Sequence, residues 1–227
     1  MSIGVIIQAR MGSTRLPGKV LMSIAGKPLL DHVLGRLSLS VLKYPVKVVV
    51  ATSNLAQDTA IVQHCLEKNV EVFQGSESDV LDRYYQCARR YSFSHVVRLT
   101  ADNPFTDIEE LQRLIEQHLA QANDYTHSFG CMPLGVGAEI FTFATLEKSE
   151  IEGHSPNHRE HVNEYIQENP NIFRIGMLEV SVAKKHPNFR LTVDTPEDYL
   201  RACSIAEHAP NRWISTEEAI ELCSHSA

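Results

Sequence analysis

Short valine- and isoleucine-rich runs at residues 3–7, 46–51, 70–73 and 96–99 alternate with segments of helical periodicity at 28–39, 57–68, 79–91 and 108–120. No other feature constrains the fold as strongly. A strand that is apolar on successive residues needs cover on both faces, and helices between the strands supply it. The expected architecture is α/β: a single Rossmann-like (GT-A-like) nucleotide-binding domain over residues 1–227, with a mostly parallel central sheet and helices on both faces. Helix starts are marked by capping boxes at Thr106-Asp107-Ile108-Glu109 and Ser215-Thr216-Glu217-Glu218. Another is marked by Thr195-Pro196-Glu197-Asp198, with a capping Thr, Pro at the first helical position and acids in the first turn.

Beyond residue 124 the pattern loosens. Gly130 to Gly137 reads as a loop, Ile140-Phe141-Thr142-Phe143 as an apolar stretch, 154–167 as loop turning to helix, and 173–180 as strand. Residues 124–190 are expected to form a lobe over the sheet's substrate edge, for sugar binding or dimerisation. With no repeat, low-complexity tract or linker, one compact unit is predicted.

A formal charge of -7 argues against a general nucleic-acid binder, since phosphate backbones demand a basic surface. The charge is unevenly spread. The first thirty residues hold Arg10, Arg15, Lys19 and Lys27 and no acid, a balance of +4 against -11 for the rest. The five cysteines are widely spaced without Cys-x-x-Cys and are expected to be reduced and mostly buried. No apolar run is long enough to span a bilayer, and the start reads as a strand rather than a signal peptide, so a cytoplasmic protein with no membrane partner is expected.

The most informative segment is Gln8-Ala9-Arg10-Met11-Gly12-Ser13-Thr14-Arg15-Leu16-Pro17-Gly18-Lys19. It leaves the first strand, where open α/β sheets bind ligands. Gly12 and Gly18 permit close backbone approach, and amides near Gly12 and Ser13 are expected to form an anion nest. Arg10 and Arg15 offer planar forks and Lys19 a compact charge. Three cations so close together call for an anion such as a polyphosphate; a solvated basic turn is the alternative. It is not a Walker A loop, because the glycine spacing differs and Val20 stands where Ser or Thr would hold magnesium.

This segment, continued through Val20-Leu21, resembles the opening loop of the cytidylyltransferases that make CMP-activated sugars. CMP-KDO synthetases belong to this group, and the SpsF-type spore-coat polysaccharide branch is the most similar. The likeness extends to Gly75-Ser76-Glu77-Ser78-Asp79-Val80-Leu81-Asp82-Arg83-Tyr84 and Arg98-Leu99-Thr100-Ala101-Asp102-Asn103-Pro104. It continues at Arg159-Glu160-His161-Val162 and Arg190-Leu191-Thr192-Val193-Asp194-Thr195-Pro196-Glu197-Asp198. The resemblance implies that Ala9, Arg10, Gly12, Ser13, Arg15, Lys19, Thr52, Asp82, Arg83 and Asp102 line the nucleotide site. It implies Mg2+ on Asp102 and Asp194, CTP as donor, a sugar acceptor (a keto-sugar acid) and a homodimer. Glu139 and Arg190 are expected at the acceptor, and Arg159, Glu160 and His161 are expected to recognise the sugar or to organise a dimer contact, with cap, core and interface roles as the alternative. One departure stands out: Gly135-Val136-Gly137-Ala138-Glu139 replaces a Gly-Leu-Asp-x-Glu pattern, removing a carboxylate at Gly137.

Read physically, Asp102 and Asp194 each follow an apolar strand-like run. Magnesium takes one or two carboxylates plus substrate oxygens. The alternatives are an Asx-turn before Pro104 and a helix cap at Asp194. His154, His158 and His161 have zinc-like spacing, but no cysteine or acid completes a tetrad. The expected chemistry is attack of a sugar hydroxyl on the α-phosphorus with loss of pyrophosphate, with Arg10, Lys19 and Asp102 carrying catalysis. A metal-dependent glycosyltransferase and a non-catalytic sugar-nucleotide binder are the rivals; no Asp-x-Asp motif supports the former.

Overall fold

In the computed structural model, which describes residues 1–39, 42–209 and 212–225, β1 (Ile3–Gln8) lies mid-sheet between two parallel neighbours. These are β4 (Val46–Ser53) and β6 (His95–Thr100). From β1 the chain passes through a small ribbon, β2 (Ser23–Ile24) and β3 (Lys27–Pro28), into α1 (Leu29–Leu39) and on to β4. Next come α2 (Thr59–Glu67) and β5 (Glu71–Gly75), then α3 (Val80–Arg90) and β6. The four expected strands are present within two residues of their predicted ends. Side chains alternate across them: Val5, Ile7, Val50 and Val97 face one way, and Ile6, Val49 and Val96 the other.

The remaining elements are α4 (Ile108–Gln121), β7 (Tyr125–His127), β8 (Glu139–Thr142), α5 (Phe143–Glu152), α6 (Pro156–Glu160), α7 (Glu164–Glu168), β9 (Ile175–Met177), α8 (Pro196–Glu207) and α9 (Thr216–His225). The seven-stranded order is β5-β4-β1-β6-β8-β7-β9, and only β8 runs against its neighbours. Residues 124–190 thus extend the central sheet by three strands. Helices α1, α4, α8 and α9 cover one face, through Leu30, Leu114, Ile205 and Ala219. Helices α3, α5 and α7 cover the other, through Leu81, Tyr84, Leu146 and Ile166. Leaving β1, the chain moves outward to β4 and β5 and then returns to β6. The carboxyl ends of β1 and β6 therefore flank the switch point where such sheets form a crevice.

Two of the three expected caps form as written. Thr195 and Asp198 make a reciprocal box with Pro196 at the first position of α8, and Ser215 does the same with Glu218 at α9. At α4 the cap is Asp107, which accepts the Glu110 amide at 3.0 Å, rather than Thr106. Asp107 wins because its charged carboxylate also meets the Thr216 hydroxyl at 2.6 Å and Lys184 at 3.0 Å. Of the cysteines only Cys65 and Cys87 are fully buried; Cys131, Cys203 and Cys223 lie partly covered at the core margins, and all five are free thiols. No described helix is long and apolar enough to cross a membrane.

One glycine fixes how the C-terminal segment meets the sheet. Gly135 has φ +102, and a Cβ there would lie 2.4 Å from the Thr192 backbone nitrogen. The Leu134 carbonyl accepts both the Leu191 amide (2.7 Å) and the Thr192 amide (3.0 Å), seating the strand-like stretch that ends at Asp194. Gly135→Ala imposes both strain and a backbone collision. It is expected to cost about 2–4 kcal/mol of unfolding free energy by urea titration, and an unchanged midpoint would refute this role.

Candidate active site

The basic loop is held at both ends. The Ala9 amide donates to the Ala51 carbonyl at 3.1 Å, and the Met11 amide donates to Asp58 Oδ1 at 2.7 Å. Asp58 is 0% exposed and also takes the Ser53 amide (3.2 Å) and hydroxyl (2.5 Å), joining the loop to the end of β4. The Gly18 and Ser13 amides both donate to the Met11 carbonyl at 2.9 Å. The Ser13 amide therefore turns inward to its own loop rather than forming the expected nest. At Gly12, a Cβ would meet Gln57 Nε2 at 2.8 Å, so the close approach there is to protein. Gly18, at φ +72, turns the chain into a short 3-10 helix, Lys19–Leu21, which drives Lys19 down toward the sheet. Lys27, the fourth early cation, lies instead over the Trp213 ring.

Lys19 is 7% exposed, and its Nζ donates to Asp102 Oδ2 at 2.7 Å, Asp194 Oδ1 at 2.7 Å and the Val193 carbonyl at 2.8 Å. The two carboxylates belong to different parts of the chain, tied by the Val193 amide donating to the Asp102 carbonyl at 2.9 Å. Thr100 donates to Asp102 Oδ1 at 2.6 Å; Arg190 donates to Asp194 Oδ2 at 2.5 Å, with Arg15 3.3 Å from Oδ1. Burial alone would raise the Asp194 carboxyl. The hydrogen bond and charge of Lys19, with Arg15 and Arg190, outweigh it and hold that group below its ordinary value. The cap of α8 is Thr195, so Asp194 is not a helix cap, and the Asp102 carboxylate is directed to Thr100 and Lys19. The basic loop and both carboxylates converge on one rim.

Two cavities meet at that rim. One, of about 170 Å³, is lined by Ala9, Arg10, Ser13, Arg15 and Lys19 together with Thr100, Asp102 and Asp194. The second, of about 470 Å³, shares Thr100, Asp102 and Asp194 and is otherwise walled by Arg98, Phe129, Met132, Pro133 and Leu134, among others. A larger cavity of about 900 Å³ lies beside Lys27, Tyr44 and Trp213, at the start of β4, and contains none of the rim residues. Of its charged lining residues, Asp31 and Lys68 are paired with each other at 3.1 Å.

The other expected site residues are distributed unevenly. Thr52 and Arg83 are buried and line neither of the two rim cavities. The Thr52 hydroxyl and two Arg83 nitrogens lack partners among the described residues, while Arg83 Nη1 donates to the Ser76 carbonyl at 2.8 Å. Asp82 accepts from Gln86 on its own helix. Glu139 is 0% exposed, 2.5 Å from Arg98 and 2.6 Å from the Tyr125 hydroxyl. Its charge raises the Arg98 guanidinium above the ordinary value although burial opposes this. Neither Glu139, Arg159, Glu160, His161 nor Arg190 lines the 470 Å³ cavity. Arg159 braces Asp79 and Glu150, Glu160 lies 3.7 Å from Arg10, and His161 is exposed at the end of α6. No cluster of metal-binding side chains forms around the three histidines among the described residues, and His158 pairs with Glu168 instead.

Sequence reasoning missed Asp58, Arg98 and Thr100 as site-building residues. Arg98 and Thr100 alternate along β6, and that spacing was the available signal. Asp58 had none, falling at the start of the segment read as helical, 57–68.

A cytidylyltransferase family model matches residues 4–224. An uncharacterised protein of Methanocaldococcus jannaschii is 41% identical over 208 residues, covering 92% of this chain and 84% of its own. The spore coat polysaccharide biosynthesis protein SpsF of Bacillus subtilis is 39% identical over 221 residues, covering 96% and 92%. A cytidylyltransferase structure from Leptospira borgpetersenii superposes with TM-score 0.92 at 31% identity, over 100% of this chain and 95% of that one. A CMP:2-keto-3-deoxy-manno-octonic acid synthetase complexed with CTP shares the fold, with TM-score 0.71 at 19% identity over 92% and 99%.

Asp58→Ala leaves the buried Ser53 and Met11 donors unsatisfied and is expected to cost about 2–3 kcal/mol of stability while loosening the basic loop. Denaturant unfolding and nucleotide affinity should both fall; a variant with intact affinity would detach Asp58 from the site. Because the folded-state value of Asp194 is depressed, its stabilisation is present above the ordinary carboxyl value of 3.8 and is lost as pH drops below it. Asp194→Asn is therefore expected to shrink the acid-side fall in melting temperature, and an identical profile would contradict that.

Proposed function

We propose that this chain, which belongs to the cytidylyltransferase family, transfers CMP from CTP to a sugar hydroxyl with release of pyrophosphate. The observation that carries the reading is the rim itself, where one basic cavity and one larger, mixed cavity share Asp102 and Asp194. A triphosphate suits the basic side. Arg10 and Arg15 are partly exposed and, among the described residues, form ion pairs with Glu160 at 3.7 Å and Asp194 at 3.3 Å, so phosphate oxygens can take over their forks.

The residues fit magnesium: two carboxylate oxygens and a carbonyl already surround one cationic atom, Lys19 Nζ, which stands in for a metal ion. When bound, magnesium supplies charge neutralisation at the phosphate being transferred. Asp102 and Asp194 would hold it, and Thr100 and Arg190 orient those carboxylates from behind. Arg10, Arg15 and Lys19 stabilise charge growing on the departing pyrophosphate. Asp58 keeps the loop in register as this happens.

The acceptor would sit in the 470 Å³ cavity, with its hydroxyl against the shared wall. A keto-sugar acid is the acceptor we favour, because 3-deoxy-manno-octulosonate cytidylyltransferases are among the relatives and because Arg98, though its charge is paired with Glu139, keeps a buried Nε without a partner among the described residues on the wall of this cavity.

Incubation with CTP, magnesium and a panel of sugar acids should release pyrophosphate; release of a nucleoside diphosphate from a nucleotide sugar would point to glycosyl transfer instead. Lys19→Ala and Asp102→Asn are each expected to lower kcat about 10²-fold or more. Wild-type pyrophosphate release by both variants would overturn the assignment.

A further inference from the structure

Every oxygen of the two rim carboxylates already has a donor. Asp102 Oδ1 takes Thr100 and Asp194 Oδ2 takes Arg190, while Asp102 Oδ2 and Asp194 Oδ1 both take Lys19. A divalent cation seated between the two carboxylates competes for the position of Lys19 Nζ, which touches both. Its ammonium fills a three-oxygen cradle completed by the Val193 carbonyl at 2.8 Å. Two cations cannot share that cradle at contact distance. Lys19 also lines the 170 Å³ basic cavity, so a short swing of its flexible stem reaches the space a triphosphate would fill.

We infer that Lys19 is a resident counter-ion that exchanges places with the metal: it leaves Asp102, Asp194 and the Val193 carbonyl to a divalent cation and passes to the triphosphate. This rests on the proposed use of the two carboxylates as metal ligands. Metal arriving alone strands a largely buried ammonium among Arg10 and Arg15, whereas metal arriving with nucleotide gives that ammonium a new anionic partner. Each ligand thereby strengthens binding of the other, a coupling that linkage makes reciprocal. The Val193 carbonyl becomes the third protein oxygen of the metal site, a ligand invisible in sequence because any residue type supplies it.

The exchange is tested by Mn2+ titration of the nucleotide-free protein, with electron paramagnetic resonance reading the free ion. Lys19→Met is expected to bind Mn2+ about tenfold tighter than wild type or better, since it removes the competing charge. Asp194→Asn is expected to bind it more weakly. Equal affinity in wild type and Lys19→Met, with Asp194→Asn still weakened, overturns the exchange but leaves the metal ligands standing. No weakening in Asp194→Asn removes the metal reading as well. Wild-type protein gives a second readout that needs no variant to fold. Lys19 acetylation by acetic anhydride, followed by mass spectrometry, should be slow without metal, faster in saturating Mg2+, and slow again when CTP is added. Labelling of Lys19 that ignores Mg2+ also overturns the exchange.

Discussion

A single ammonium group joins three stretches of chain that lie far apart in sequence. Lys19 comes from the loop after β1, Asp102 follows β6, and Asp194 ends the stretch seated against Leu134. Removing one partner from such a covered ion pair strands the others and costs about 3–5 kcal/mol. The rim is therefore structural as well as chemical. Asp58 steadies the loop from behind, and Gly135 lets the Asp194 segment come close enough to take part. Neither needs to touch a substrate for the rim to depend on it.

How much of this was legible follows from how each part is stabilised. Strands β1, β4 and β6 could be read because parallel strands covered by helices select valine and isoleucine almost throughout, and the edge strand β5 by the short apolar run that opens it. Strands β7 and β9 have three residues each, too few for a periodicity to register, and β8 runs antiparallel between β6 and β7. The basic loop was conspicuous through its lack of acids. Its anchor was not, because the role of Asp58 depends on burial that no local pattern announces. The reading of Asp102 and Asp194 as neighbours came from strand ends and from family likeness; the lysine between them was expected on phosphate alone.

The residues expected to meet a sugar were the least legible, for a physical reason: their charges are paired inside the fold. Glu139 is enclosed by Arg98 and Tyr125, with the Asn163 amide donating to the same tyrosine oxygen at 3.2 Å. Arg159 is held by two carboxylates. In sequence these look like residues waiting for a ligand. The glycine at 137 has a packing correlate too, since a Cβ there would lie 2.8 Å from the Ser128 hydroxyl and 3.3 Å from the Phe129 ring.

The wall common to both cavities has a stereochemical consequence. If transfer proceeds as proposed, with the triphosphate in the basic cavity and the acceptor in the mixed one, a phosphorus atom over Asp102 and Asp194 would have its entering and departing oxygens at opposite apices. One such displacement turns the phosphorus centre inside out. A nucleotide carrying a chiral thiophosphate at that atom would leave with inverted configuration, whereas a covalent relay through the protein would return it unchanged.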